Sequence, residues 1–323
     1  MQMGRIMKKT AILAALLFAW PLLAQNPPAT NPPPANPAAQ TPPAPQPIQP
    51  KAFASPDQAA KALIDAASRN DDKELMAILG SRAQGVLTAG NPAQDQAERQ
   101  EFSKLASAKN HIERSSIDSR TAVLLVGNED WPFPVPLVQT GQQWRFDPTS
   151  GVMEMRARRI GANELDAIEI CMGYVGAQQA YYAQASSGKG PPGYAQKIMS
   201  SPGSKDGLYQ PGASPELVPE GFAMAAAGSP ERKPYHGYYF RVLTQQGASA
   251  PGGAHKYVAG GAMIGGFALI AWPAEYGASG IHTFIVSHAG DVFEKDLGAG
   301  TANAAAQIAS YDPDSTWTAV DGL

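Results

Sequence analysis

Apolar positions recur at a spacing of three and four over residues 56–108, then alternate with polar ones over residues 111–146. The helical period returns at residues 163–184, and alternating runs fill residues 237–296. Helices followed by neighbouring strands, twice over, predict an α+β fold with antiparallel meanders. In "FASPDQAAKALIDAASRNDD", Ser55, Pro56 and Gln58 fit the N-cap, N1 and N3 positions, and Leu63, Ile64 and Ala67 give an apolar face. A second helix, "DDKELMAILG", ends at Gly80 as a C′ residue, and a third, Ala93 to Ala108, carries Phe102 and Leu105. "HIERSSID", "TAVLLVG", "PVPLVQ" and "WRFDP" read as strands, with turns at Gly127-Asn128 and Thr140-Gly141.

"GVMEMRARRIG", residues 151–161, reads as a joint. Beyond it Leu165, Ile168, Met172, Val175, Gln179 and Tyr182 fall on one face of a long helix, and Glu164, Asp166 and Glu169 sit in its first turns, where the helix dipole favours negative charge. A Gly/Pro/Ser-rich stretch from Ser186 to about Pro234 has little period. "GYYFRVLT", "GFALIAW", "IHTFIVSH" and "DVFEKD" then form a four-strand meander that buries the helical stripe, and "TANAAAQIAS" is a short closing helix. His282 and His288 share a strand face about 20 Å apart, too far to act together. A two-residue turn at Ala289-Gly290 sets His288 opposite Asp291 and Val286 opposite Phe293.

Composition changes the picture at the N-terminus. Arg5, Lys8 and Lys9 precede the apolar run "TAILAALLFAWPLLA", and Ala24 precedes a cleavage point, the form of a signal peptide. Residues 26–50 hold eleven of the 29 prolines and no charge, the composition of an extended spacer. A net charge of −3 gives no electrostatic footprint for nucleic acid. The single cysteine, Cys171, excludes an internal disulfide and a Cys-rich metal site, and packs as a small hydrophobe.

Several literal motifs fail on context. "GKGPPG" (188–193) follows a helix rather than a strand and loses two amide donors to proline; Ser186 and Lys189 match S-x-x-K in a loop rather than at a helix start. "YDPDS" (311–315) reads as a turn. No catalytic residue, metal ligand or cofactor is assigned. Two surface candidates stand beside ordinary packing: the aromatic run with Tyr235, His236, Tyr238 and Tyr239, of a type favoured at interfaces, and the basic cluster with Arg158 and Arg159, able to dock an anion.

The stretches "EDWPFPVPLVQTGQQWRFDPTSG", "RRIGANELDAIEICMGYVGAQQAYYA", "PYHGYYFRVLTQQGASAPGG" and "MIGGFALIAWPAEYGASGIHTFIVSHAGDVFEKDLG" resemble an uncharacterised bacterial exported family, domain of unknown function 2950. The resemblance implies export and one shared architecture, and no activity. The loop "QASSGKGPPGYA" departs from the more acidic Asp/Gly-rich segment expected there. A fainter likeness, in "AQQAYYA" and "YGASGIHTFIV", is to the globular heads of type IV pilins and pseudopilins. The expected plan is a signal peptide (1–24), a Pro-rich disordered linker (25–50), an N-terminal α+β domain (51–152) and a C-terminal α+β, pilin-head-like domain (153–323). In it the long helix packs on the four-strand meander. The expected function is a non-catalytic binding or assembly protein, periplasmic or secreted, with a possible envelope protein partner, no nucleic acid and no transmembrane segment in the mature chain. Alternatives are a hydrolase of envelope material using residues such as His236, Glu275 and Asp296, and a small-molecule carrier with an interdomain pocket.

Overall fold

The Ser55 hydroxyl accepts the backbone N–H of Gln58 at 3.2 Å and opens helix α1, Pro56–Ser68, with proline at its first position. This computed structural model describes residues 47–87, 92–188, 192–228 and 232–321; the expected signal peptide and the expected linker up to residue 46 lie outside the described residues. The last spacer residues are packed: the Ile48 carbonyl accepts the Ser81 N–H at 3.0 Å, and a Cβ on Gly80 would sit 2.9 Å from the same oxygen. Helix α2, Asp72–Leu79, is capped by Asp71 and stops at Gly80, whose φ of 80° favours glycine. Helix α3 spans Pro92–Ala108.

Strands β1 (Asn110–Arg114), β2 (Thr121–Val126), β3 (Leu137–Thr140) and β4 (Gln143–Phe146) form an antiparallel sheet in that order, and the short Trp131–Pro132 pair adds to β2. One core joins them to the helices: Leu63, Leu75, Ile78 and Leu79 meet Leu124, Val126, Leu137, Trp144 and Phe146.

Helix α4 runs without a break over Pro148–Ser186, 39 residues or about 58 Å. Asp147 caps it, accepting from Thr149 N–H at 3.0 Å and the Ser150 hydroxyl at 2.7 Å. The stretch 151–161, read as a joint, is therefore part of this one helix. Its Gly151 leans on Val135, where a Cβ would lie 2.7 Å from Val135 Cγ2. Glu164 and Asp166 fall well inside the helix, not in its first turns.

The buried face of α4 keeps Ile168 and Val175 of the expected stripe and otherwise lies one residue away from it. Ala167, Ile168, Cys171, Tyr174, Val175, Gln178 and Tyr181 face the core, while Leu165, Met172 and Tyr182 are 65%, 44% and 42% exposed. Two apolar lines run side by side on this helix, and polar atoms decide between them. The Gln178 amide donates to the Tyr174 hydroxyl at 2.9 Å and the Ala195 carbonyl at 2.8 Å, and accepts the Ala195 N–H at 2.8 Å. With every polar group satisfied, a glutamine belongs inside.

The stretch after α4 is more ordered than its composition suggests. Lys197–Met199 pairs in parallel with Gly207–Tyr209, and helix α5 covers Glu220–Ala225. Gly193, read as part of a loop, holds φ at 90°, and a Cβ there would lie 2.6 Å from the Met263 carbonyl oxygen.

Strands β5 (Tyr238–Leu243), β6 (Ala268–Pro273), β7 (His282–Ser287) and β8 (Val292–Asp296) are the antiparallel meander, with β9 (Thr318–Ala319) added beside β8. Helix α4 covers one face. Helix α6, Thr301–Gln307, covers the other, where Arg241 donates to the Ala305 and Ile308 carbonyls at 2.6 and 2.8 Å. Covered on both faces, β6 is buried throughout and β7 beyond its first residue. The β7–β8 register is one residue from that expected: Val286 pairs with Val292. His288 leaves the hairpin and packs edge-on to Tyr257 and Phe267, with ring centroids 5.9 and 6.1 Å away. The molecule is mixed α+β, and its two cores belong to one packed unit starting at Pro47.

Candidate functional site

The turn before β5 is built on two consecutive residues with positive φ, His236 at 47° and Gly237 at 74°. Tyr235 and Tyr238 exchange both backbone hydrogen bonds across it, at 2.9 and 3.0 Å. This is the geometry of a tight two-residue hairpin. His236 Nδ1 lies 2.6 Å from Asp166 Oδ2 on α4, a contact that holds the imidazole over the helix. Tyr238 then points inward. It is fully buried, its hydroxyl donates to the His282 carbonyl at 2.9 Å, and burial raises its phenol pKa. The aromatic run is thus divided: His236 is exposed, Tyr235 and Tyr239 are half-buried, and Tyr238 cannot touch a partner. Tyr239 carries Arg232, whose guanidinium stands 4.2 Å from its ring centroid and 4.5 Å from that of Trp272.

Next to this turn, Glu164 holds the start of β7. Its Oε1 accepts the Ile281 and His282 N–H groups at 2.8 and 2.9 Å and lies 3.2 Å from His282 Nδ1. Burial disfavours the Glu164 carboxylate, but the His282 ring and the two amides outweigh it and hold its pKa below the ordinary value. The Glu164 hydrogen bond raises that of His282 against an opposing effect of burial. Asn163 donates to the Ser279 carbonyl at 2.8 Å. One helical turn thus fastens two loops to the sheet. The His236, Glu275 and Asp296 set does not form a linked site: His236 bonds Asp166, Asp296 accepts from the Tyr276 hydroxyl at 3.2 Å, and the Glu275 backbone bonds Ser279. Among the described residues no group of three or more metal-ligating side chains converges.

Arg158 donates to Glu154 at 2.8 Å and to the Pro132 carbonyl at 2.9 Å, and its guanidinium lies 5.1 Å from the Trp131 ring centroid. Arg159 is exposed. Trp131 leads to the feature that sequence reading missed, a cavity of about 530 Å³ inside the N-terminal half. Its floor is Leu63, Leu75 and Leu79, its walls include Phe102, Val126, Phe133 and Met155, and the exposed Trp131 and Leu105 stand at its mouth. Phe102 and Leu105 were legible as an apolar helix face. That they face a void rather than a filled core depends on how far α3 stands from β2, which no local pattern records.

The cavity and the fastened loops lie between residues 63 and 296, within a region that one family model matches from residue 50 to 320, described as a protein of unknown function (DUF2950). The chain belongs to the DUF2950 family. No curated protein and no solved structure matches it, so the likeness to pilin heads has no matching structure behind it. The DUF2950 match begins within the packed end of the spacer and so takes in both cores of the molecule. Among the described residues no helix is long and apolar enough to cross a membrane.

Proposed function

We propose that this DUF2950 protein is a non-catalytic binding protein of the bacterial envelope that takes an apolar small molecule into the cavity beneath α1, α2 and α3. The observation that carries the reading is the cavity. Its volume of about 530 Å³ falls in the range of about 300–1,000 Å³ usual for small-molecule sites. Its wall is mainly aliphatic and aromatic, with charged groups few and grouped on α3 and after β2. The histidine–carboxylate contacts on α4 serve as fasteners in this reading, because each is spent on holding a loop. Export rests on the N-terminal pattern of Arg5, Lys8, Lys9 and the apolar run before Ala24.

The test uses the neutral fluorophore N-phenyl-1-naphthylamine, which brightens in an apolar site. Saturable binding at one site is expected. Leu105→Trp and Met155→Trp, each placing bulk in the lining, should weaken binding at least tenfold with a native unfolding midpoint. Binding that both leave intact would refute the cavity as the site. Export is tested separately by N-terminal sequencing of the protein from an envelope fraction, where a mature start at Gln25 is expected.

A further inference from the structure

We infer that the outer edge of the second sheet binds a phosphate group through Arg232 and Arg241, neither of which lines the cavity. Strand β5 is the edge strand, beside β6. Tyr239 and Arg241 are two residues apart on it, so they share one face, about 7 Å from each other. It is the face that α6 covers, because Arg241 donates to the Ala305 and Ile308 carbonyls. Trp272 lies opposite Tyr239 across the strand pair and adds its ring to the same face. Arg232, from the chain before β5, reaches over to it. Its guanidinium stands 4.2 and 4.5 Å from the Tyr239 and Trp272 ring centroids, and its Nε donates to the Ala225 carbonyl at 3.2 Å.

Two half-buried guanidiniums thus come together, and their bonds run to carbonyls and rings. Among the described residues no carboxylate pairs with either of them. Both Nη groups of Arg232, and Nε and Nη1 of Arg241, make no hydrogen bond to a described residue. Burial disfavours the charged form of each, and the charge of Arg241 further disfavours that of Arg232. Arginine does not shed its proton to escape such a cost, and charges taken out of water are ordinarily paired. The cation further along this face, Lys295, donates to Thr316 at 2.6 Å and has Asp314 beside it. Stacking on two rings holds the Arg232 plane, and its two uncommitted Nη groups form a fork that matches two oxygens of a phosphate. A phosphate ester carries about 1.5 to 2 negative charges near neutral pH and so answers two guanidiniums, where a carboxylate answers one.

The experiment is titration calorimetry of inorganic phosphate and of acetate into the full chain, at about pH 7 and constant ionic strength. Phosphate should bind saturably and about tenfold or more tightly than acetate. Arg232→Gln should weaken phosphate binding about tenfold or more, and Arg232→Lys, which keeps the charge without the fork, should recover only part of it. Unfolding midpoints in phosphate-free buffer separate lost binding from lost fold; where Arg232→Gln lowers its midpoint, Arg232→Lys alone decides, and an unchanged affinity overturns the inference. Absence of saturable phosphate binding, acetate binding as tightly, or binding that Arg232→Gln leaves unchanged would also overturn it. Retention on phosphatidic acid vesicles over phosphatidylcholine vesicles, lost in Arg232→Gln, would place the phosphate on a lipid headgroup; phosphate binding without such retention would place it on a soluble ester. Probe binding in the cavity should be the same in all these variants, so the two sites stand or fall separately.

Discussion

Tyr238 lies inside the sheet with its hydroxyl on the His282 carbonyl at 2.9 Å, so its phenolic oxygen serves stability rather than recognition. Tyr238→Phe should cost about 1 kcal/mol in a denaturant titration and leave probe binding unchanged. Cys171 follows the same logic more simply. It is fully buried, and burial pushes its thiol pKa up to about 12. It should resist a thiol reagent in native buffer and react once the protein is unfolded. Its character as a small packed hydrophobe could be read from the sequence. The burial of Tyr238 could not, because the alternation of "KPYHGYYF" fits a strand in either phase. The positive φ at His236 and Gly237 selects the phase that turns Tyr238 inward.

At the scale of the element, helix α4 gives the clearest contrast between pattern and packing. Its existence was legible from the period of its apolar residues and its phase only in part: Ile168 and Val175 mark the buried face, while Leu165 and Met172 imitate a buried line. The inner line is fixed by hydrogen bonds to the Tyr174 hydroxyl and the Ala195 backbone, which lie outside any local window. Leu165→Ala should change stability by about 0.5 kcal/mol or less. Ile168→Ala, three positions on, should cost about 2–4 kcal/mol, both measured by chemical denaturation. The capped start of α1 and the stop of α2 at Gly80 were readable because each signal lies within four residues. The cavity was not, because an empty volume is a property of the distance between elements, and Phe102 has the same sequence signature whether it meets a neighbour or a void.

For the whole molecule, the Glu164–His282 contact makes stability depend on pH. The folded pKa of His282 is raised above 6.5, so its contribution is complete below pH 6.5 and is lost as pH rises through the folded value. The folded pKa of Glu164 is depressed below 4.5, so its contribution is complete above pH 4.5 and is lost as pH falls through the folded value. The pair thus adds most between those limits. With both side chains partly exposed, its worth is about 1 kcal/mol or less. As pH rises above 6.5 the melting temperature of the wild type should fall more steeply than that of Glu164→Gln. Parallel curves would show that the contact carries no charge-dependent stability.

The unbroken course of α4 has a consequence for motion. Its first turns rest on Val135, and its later turns bury Tyr174 and Tyr181 against the second sheet, while Arg156, Ala157, Arg159 and Ala162 between them are exposed. That middle section, where Arg158 reaches the Pro132 carbonyl at 2.9 Å, is otherwise largely exposed between two packed ends. Its amide protons should exchange with deuterium at the rate at which the weaker end opens. A ligand in the cavity touches Met155 on the N-terminal side, so occupancy should slow that exchange two turns away, in residues the ligand never meets.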